Sequence, residues 1–228
     1  MTSDADKRCA AEAAVAEIVD GMFVGLGTGS TAAQAIIAIG ARIRSGLQIA
    51  GVATSAASAT LASANGIAVR DFAEVTRLDL AIDGVDEIDD RFFAIKGAGG
   101  AMLREKLVAV AADRMIAIAD GSKHVARIGT AAVPVEILPF ARASLLEALG
   151  RIGPVTLRMV NGAPYRTDQN NFVVDCCFRQ VDDPPRLAAM LDAMPGILAH
   201  GLFLHEIDAA YIATAGVVTR LERLRGSD

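Results

Sequence analysis

Apolar residues recur along the first half of the chain in two alternating rhythms. Short β-prone apolar runs at 23–26, 48–53, 67–70, 78–83 and 115–119 predict strands. Between them, stretches rich in Ala, Leu and Ile with a 3.6-residue repeat predict helices over 30–44, 55–65 and near 101–112. A further helix opens the chain, with Ala10, Ala14 and Ile18 on one stripe and Ser3 and Asp6 spaced like a capping box. Strands that are apolar along their whole length and separated by helices imply a parallel sheet covered on both faces. Past Ile128 the rhythm changes. Strands at 133–138, 154–159, 171–177 and 197–204, with helices near 141–149 and 184–193, give a β-α-β-β-α-β order. That is the split βαβ, ferredoxin-like arrangement. It predicts a smaller α+β domain over 131–204, with 1–130 plus 205–228 as the larger one. The tail runs 209–214 and 217–224 are positioned to return to the first sheet.

Composition narrows the function classes. The 228 residues are 53% hydrophobic and 21% charged, enough for a large core and too apolar for disorder. A net charge of −5 without any Lys/Arg block argues against a nucleic-acid partner. Asp4, Asp6, Lys7 and Arg8 have no apolar signal core behind them, and no run nears the ~18 apolar residues of a membrane span. A soluble, cytoplasmic protein is expected. Cys9, Cys176 and Cys177 include an adjacent pair, a poor disulfide framework, and read as reduced, buried thiols.

Candidate chemistry concentrates at the predicted strand ends. Phe23–Leu26 runs into glycines at Gly25, Gly27 and Gly29 and hydroxyls at Thr28, Ser30 and Thr31, then into a helix. Free backbone N–H groups and the helix dipole make such a turn an anion site. A dinucleotide fingerprint would need glycine where Ser30 stands, and a carboxylate within 45–52, where there is none. A triphosphate loop would close on a Lys-Ser/Thr pair, also missing. One compact phosphate or a polyhydroxylated ligand fits.

LDLAIDGVDEID, residues 78–89, ends a strand in Asp83, followed by Gly84, Val85, Asp86, Glu87 and Asp89. Carboxylates crowded at a strand end suit proton shuttling; a solvated acidic turn or a Mg²⁺ site are the plain alternatives. IKGAGGAMLREK, residues 95–106, sets Lys96 before a loop of Gly97, Ala98 and Gly99 that enters a helix. The methyl of Ala98 restricts that residue to negative φ. Glu105 follows one turn in, on a face with Ala101, Met102, Val108 and Ala112. It is either ion-paired or poised as a base. ADGSKHV, residues 119–125, places Lys123 past another strand end. His124, His200 and His205 follow no metal-ligand spacing, and no Ser–His or Cys–His pairing stands out. Acid–base chemistry on a small phosphorylated, hydroxylated molecule is what remains.

These motifs, GLGTGSTA (25–32), DGVDEID (83–89), KGAGGAMLREK (96–106) and ADGSKHV (119–125), closely resemble ribose-5-phosphate isomerase, type A. VPVEILPFAR (133–142) and GLF (201–203) extend the resemblance over the whole chain. It implies a Rossmann-like domain beside the ferredoxin-like one, and a homodimer or homotetramer. It also implies interconversion of ribose 5-phosphate and ribulose 5-phosphate without cofactor or metal. By position it implies Glu105 as general base, with Asp83, Asp86 and Lys96 also catalytic. The substrate site would comprise Thr28, Gly29, Ser30, Thr31, Asp83, Gly84, Val85, Asp86, Lys96, Gly97, Ala98, Gly99 and Lys123. Lys123 and the Lys96 loop both remain candidate phosphate anchors. A non-catalytic sugar-phosphate sensor, and an acyl-CoA transferase or amino-sugar phosphate deaminase of related fold, are the other classes to separate.

Overall fold

The computed structural model describes residues 3–178 and 181–224. By its internal contacts the chain divides into two units. One holds 3–85, 104–124 and 205–224; the other holds 86–103, 125–178 and 181–204. Compared with the division expected at 130 and 204, residues 86–103 and 125–130 group with the second unit.

In chain order the elements are α1 (Ser3–Val15), β1 (Phe23–Leu26), α2 (Ser30–Arg44), β2 (Ala50–Ala53), α3 (Ala56–Ala64), β3 (Ala68–Val69) and β4 (Leu80–Gly84). Next come β5 (Glu87–Ile88), β6 (Ala94–Ile95), α4 (Met102–Ala111) and β7 (Met115–Asp120). The later part holds β8 (Val133–Ile137), α5 (Arg142–Gly150), β9 (Val155–Leu157), β10 (Met159–Val160), β11 (Ala163–Pro164) and β12 (Phe172–Cys176). The chain closes with α6 (Pro184–Asp192), β13 (Ile197–His200), β14 (Leu202–Phe203), β15 (Ala209–Thr214) and β16 (Val217–Glu222).

The first unit contains a sheet ordered β16-β15-β7-β4-β1-β2-β3. All neighbours are parallel except β16, which pairs antiparallel with β15 as a hairpin. Counting only the parallel strands, the order is 3-2-1-4-5-6, the doubly wound Rossmann topology. The expected return of the tail to this sheet occurs. Val24, Leu26, Leu80, Ile82, Ile116 and Ile118 are buried against Ala10 and Ala14 of α1, Ile18 just past its end, and Ile36 and Ile39 of α2. Each Val, Leu or Ile side chain so buried contributes about 1.5–3 kcal/mol.

The capping box does not form. Ser3 Oγ instead donates to Asp120 Oδ2, and Asp6 accepts the N–H groups of Ala215 and Gly216 in the β15–β16 turn. Both side chains are drawn into contacts between distant segments.

In the second unit a four-stranded antiparallel sheet runs β13-β8-β12-β9, the 4-1-3-2 order of a ferredoxin-like fold. Val135, Ile137, Leu145, Leu149, Val174 and Leu191 lie in its core. Two expected strands are each broken. The 154–159 run stops at Leu157, and Met159–Val160 turns back on Ala163–Pro164 through Asn161 and Gly162, both at positive φ. The 197–204 run changes partners at Gly201: β13 pairs with β8, whereas β14 pairs with β6 in a small sheet with β5. A side chain on Gly201 would strike the Lys96 carbonyl, so only glycine allows this crossing. The cysteines are free, as expected, but Cys177 is exposed where Cys176 is buried, because side chains alternate along the strand. Burial, with the charge of Asp175 next, pushes the Cys176 thiol up to about 12.

Candidate active site at the strand ends

In the first unit the candidate residues lie where the strand order reverses, between β1 and β4. Open α/β sheets bind ligands beyond the C-terminal strand ends at such a point. Gly25 pairs with Ala81 and Leu26 with Ile82, so the next residues, Gly27 and Asp83, emerge side by side. A methyl on Gly27 would run into the Asp83 carboxyl. Asp83, 3% exposed, accepts from the N–H groups of Thr28 (3.0 Å) and Gly84 (2.7 Å) through Oδ1. The glycine loop therefore serves partly to seat an internal carboxylate. Gly29 holds φ +100 as the N-cap of α2, with open space where its Cβ would be, and Ser30 is exposed beside it.

Thr28 is engaged differently from its neighbours. Its hydroxyl joins Thr54 (2.7 Å), Ser55 (2.9 Å) and Ser58 (3.2 Å), and Ser58 Oγ donates to the Gly27 carbonyl. Residues 54–58 were not singled out from sequence. The signal was there: Ser55 caps α3 by accepting from the Ser58 N–H, an S-x-x-S spacing after a strand.

Glu105 sits in the first turns of α4 and is 4% exposed. Met102, Val108 and Ala109 are also buried, while Leu107 and Val110 on the far face are exposed. A Cβ on Gly25 would lie 2.5 Å from Val108, so the bare glycine lets α4 lie against β1. Ala111 at the other end accepts from Leu78 N–H just before β4. The helix is thus anchored with Glu105 toward the C-terminal strand ends. Lys123, half-buried, closes the one-turn segment after β7. Asp120 caps that turn. Burial opposes its charge, but the Ser122 hydroxyl and N–H, the Ser3 hydroxyl and Lys123 outweigh burial and hold the carboxyl below its ordinary range.

In the second unit, Asp86 and the loop after Lys96 meet directly. Asp86 Oδ2 accepts from the Ala98 N–H (3.0 Å), and Asp86 N–H donates to the Ile95 carbonyl. Lys96 is 2% exposed, its N–H bound to the Gly201 carbonyl and its Nζ 5.5 Å from the centre of the Phe203 ring. Gly97 and Gly100 take positive φ, whereas Ala98 does not, so its methyl is accommodated without backbone strain. The acidic run is not one crowded cluster. Glu87 accepts from the Gly129 and Ala131 N–H groups, and Asp89 pairs with Arg91 at 2.7 Å. Among the described residues no group of three or more His, Cys, Asp or Glu is arranged to hold a metal ion, and no helix is long and apolar enough to cross a membrane.

Residues 50–216 match the family model of ribose 5-phosphate isomerase A (phosphoriboisomerase A). The chain is 48% identical to ribose-5-phosphate isomerase A of Sphingopyxis alaskensis over 94% of each sequence. It is 43% identical to that of Rhodopseudomonas palustris, covering 98% of this chain and all of the relative. It superposes with TM-score 0.95, at 34% identity over 98% of its length and all of the other chain, on a D-ribose-5-phosphate isomerase in complex with phospho-erythronic acid.

Proposed function

The chain belongs to the ribose-5-phosphate isomerase A family, aldose–ketose isomerases of class 5.3.1.6, and we propose that Glu105 is the general base of its reaction. The step is the isomerisation of the pentose phosphate pathway, with a sugar phosphate as substrate. One observation carries the proposal: a carboxylate 4% exposed on the buried, otherwise apolar face of α4, held toward the strand ends. A carboxylate in that setting is suited to exchanging a carbon-bound proton.

Ribose 5-phosphate must first open, with a proton moved from the anomeric hydroxyl to the ring oxygen. We assign that shuttle to Asp83, whose Oδ1 is fixed by two N–H groups. Glu105 then removes the proton at C2. The electron pair moves into a C1–C2 double bond and the carbonyl oxygen gains the charge, giving an enediolate. A proton passes from O2 to O1, a transfer we assign to Asp86, and returning the carbon-bound proton to C1 yields ribulose 5-phosphate. Lys96 and the amides of its loop offset the developing charge, where fixed donors are most effective. Asp86, bound to the same loop, orients it. Lys123 holds the phosphate, aided by Ser30 and Thr31 at the start of α2. The relative in complex with phospho-erythronic acid supports this reading, since that molecule joins a phosphate to a planar anionic carboxylate resembling the enediolate.

Glu105→Gln keeps shape and hydrogen-bonding reach but cannot accept a proton from carbon. Its kcat should fall by roughly 10²–10⁴-fold with little change in KM. A variant that is less thermostable yet active would end the base assignment in favour of a structural ion-paired role. We also read the enzyme as cytoplasmic and as a homodimer or homotetramer; sedimentation equilibrium decides the stoichiometry.

A further inference from the structure

We propose that Arg158, held by Asp175 and assisted by Tyr165, is a positioning residue that aims the amides of the Lys96–Gly100 loop. The inference rests on the reading that this loop meets the charge developing on the substrate.

Three successive carbonyls of the loop are held by side chains of the same unit. Arg158 Nη1 donates to the carbonyls of Ala98 (2.9 Å) and Gly97 (3.2 Å), and Tyr165 Oη donates to that of Gly99 (3.2 Å). In a trans peptide the C=O and the following N–H point opposite ways. Fixing the carbonyls of 97, 98 and 99 therefore fixes the N–H groups of 98, 99 and 100. The Ala98 N–H reaches Asp86, and the Gly100 N–H closes the turn on the Gly97 carbonyl (2.9 Å). The Gly99 N–H, on an exposed residue, has no protein acceptor among the described residues and is left for a ligand.

The guanidinium is itself rigidly held. Nε donates to Asp175 Oδ2 (2.9 Å) and Nη2 to Oδ1 (2.5 Å), a two-point fork that sets the plane and hence the direction of Nη1. The pair is 16% and 28% exposed, so it is shielded from much of the solvent screening. Arg158 sits where the chain leaves β9, its N–H on the Val173 carbonyl and its carbonyl receiving the Tyr165 N–H. Tyr165 fills the space beside Gly100 so closely that a Cβ there would collide with the ring. Just beyond it, Thr167 Oγ1 (2.8 Å) and Asn171 Nδ2 (2.9 Å) both donate to the buried Glu136 of β8. The loop is thus tied to β12 of the four-stranded sheet through Arg158 and Asp175.

Arg158→Lys retains the charge but loses the planar fork, and Asp175→Asn weakens its anchor. Misplacing reacting groups by about 1 Å costs on the order of 10²-fold in rate. Each variant should lower kcat by about 10–100-fold with KM little changed. The double variant should be no worse than Arg158→Lys alone, since both act through one contact. Amide hydrogen exchange over residues 96–101 should quicken in both. A merely structural pair would lower the melting temperature and leave kcat intact in folded enzyme; that result in Asp175→Asn, or in a folded Arg158→Lys, overturns the proposal. Lys96→Ala, measured alongside, separates the two levels. If Lys96→Ala keeps kcat, the reading of the loop fails. If it loses kcat while the Arg158 and Asp175 variants keep theirs, only the positioning role fails.

Discussion

Gly27 is glycine because the Asp83 carboxyl occupies the space its side chain would need. Gly27→Ala must displace both the Asp83 carboxyl and the Asp83 backbone, which lie within 2.6 Å of the added methyl. We expect kcat/KM to fall about 100-fold and stability by about 1–3 kcal/mol from overpacking. Steady-state kinetics and thermal melting of one preparation check both; full activity would remove Asp83 from the reaction. Lys123 makes a different case. An ammonium that binds phosphate equally in ground and transition states raises KM more than it lowers kcat when lost. Lys123→Ala should therefore act on KM, and an unchanged KM with a collapsed kcat would place Lys123 at the reacting carbons.

Among the elements, α3 is tied to the glycine loop through its cap. The Ser55 hydroxyl receives the Ser58 N–H and also meets Thr28 Oγ1. Replacing a Ser cap by Ala costs about 0.5–2 kcal/mol, so Ser55→Ala should melt at a lower temperature. Thr54 and Ser58 still hold Thr28, so kcat should stay within a few-fold. The broken strands obey similarly local rules. The Asn161-Gly162 pair was a readable hairpin signal, since both residues tolerate positive φ. The break at Gly201 was not, because it depends on the Lys96 carbonyl, 105 positions away along the chain, occupying the Cβ space.

At the scale of the molecule, burial of charge sets two expectations. Asp120 and Glu222 both have carboxyls held below their ordinary range: hydrogen bonds outweigh burial at Asp120, and the Arg114 hydrogen bond leads at Glu222. A lowered acid pKa adds stability that is complete above the unfolded value and is lost as pH falls through the folded one. The melting temperature should therefore drop as pH is taken below about 4, and Asp120→Asn should flatten part of that slope. The second expectation concerns metals. Lys96 offers a fixed positive charge, and no group of His, Cys, Asp and Glu among the described residues is arranged for a cation. Activity should survive exhaustive EDTA treatment, and loss restored by Mg²⁺ or Zn²⁺ would recast Asp83 and Asp86 as ligands.

Periodicity and glycine placement alone determined the alternating parallel sheet, the β-α-β-β-α-β order, the strand end carrying Asp83, the strand end followed by Lys123, and the helix that carries Glu105. Those features depend on neighbours within a few residues, where apolar rhythm and turn chemistry act directly. Only tertiary structure decided which partner each polar group takes. Ser3 and Asp6 left their expected cap for Asp120 and the 215–216 turn, Thr28 turned toward residues 54–58, and the acidic run dispersed onto separate amides. It alone brought Arg158 and Asp175 to the Lys96 loop. A buried donor or acceptor takes whichever partner the packed chain sets within about 3 Å, and that choice is made across sequence separations where no periodicity reaches.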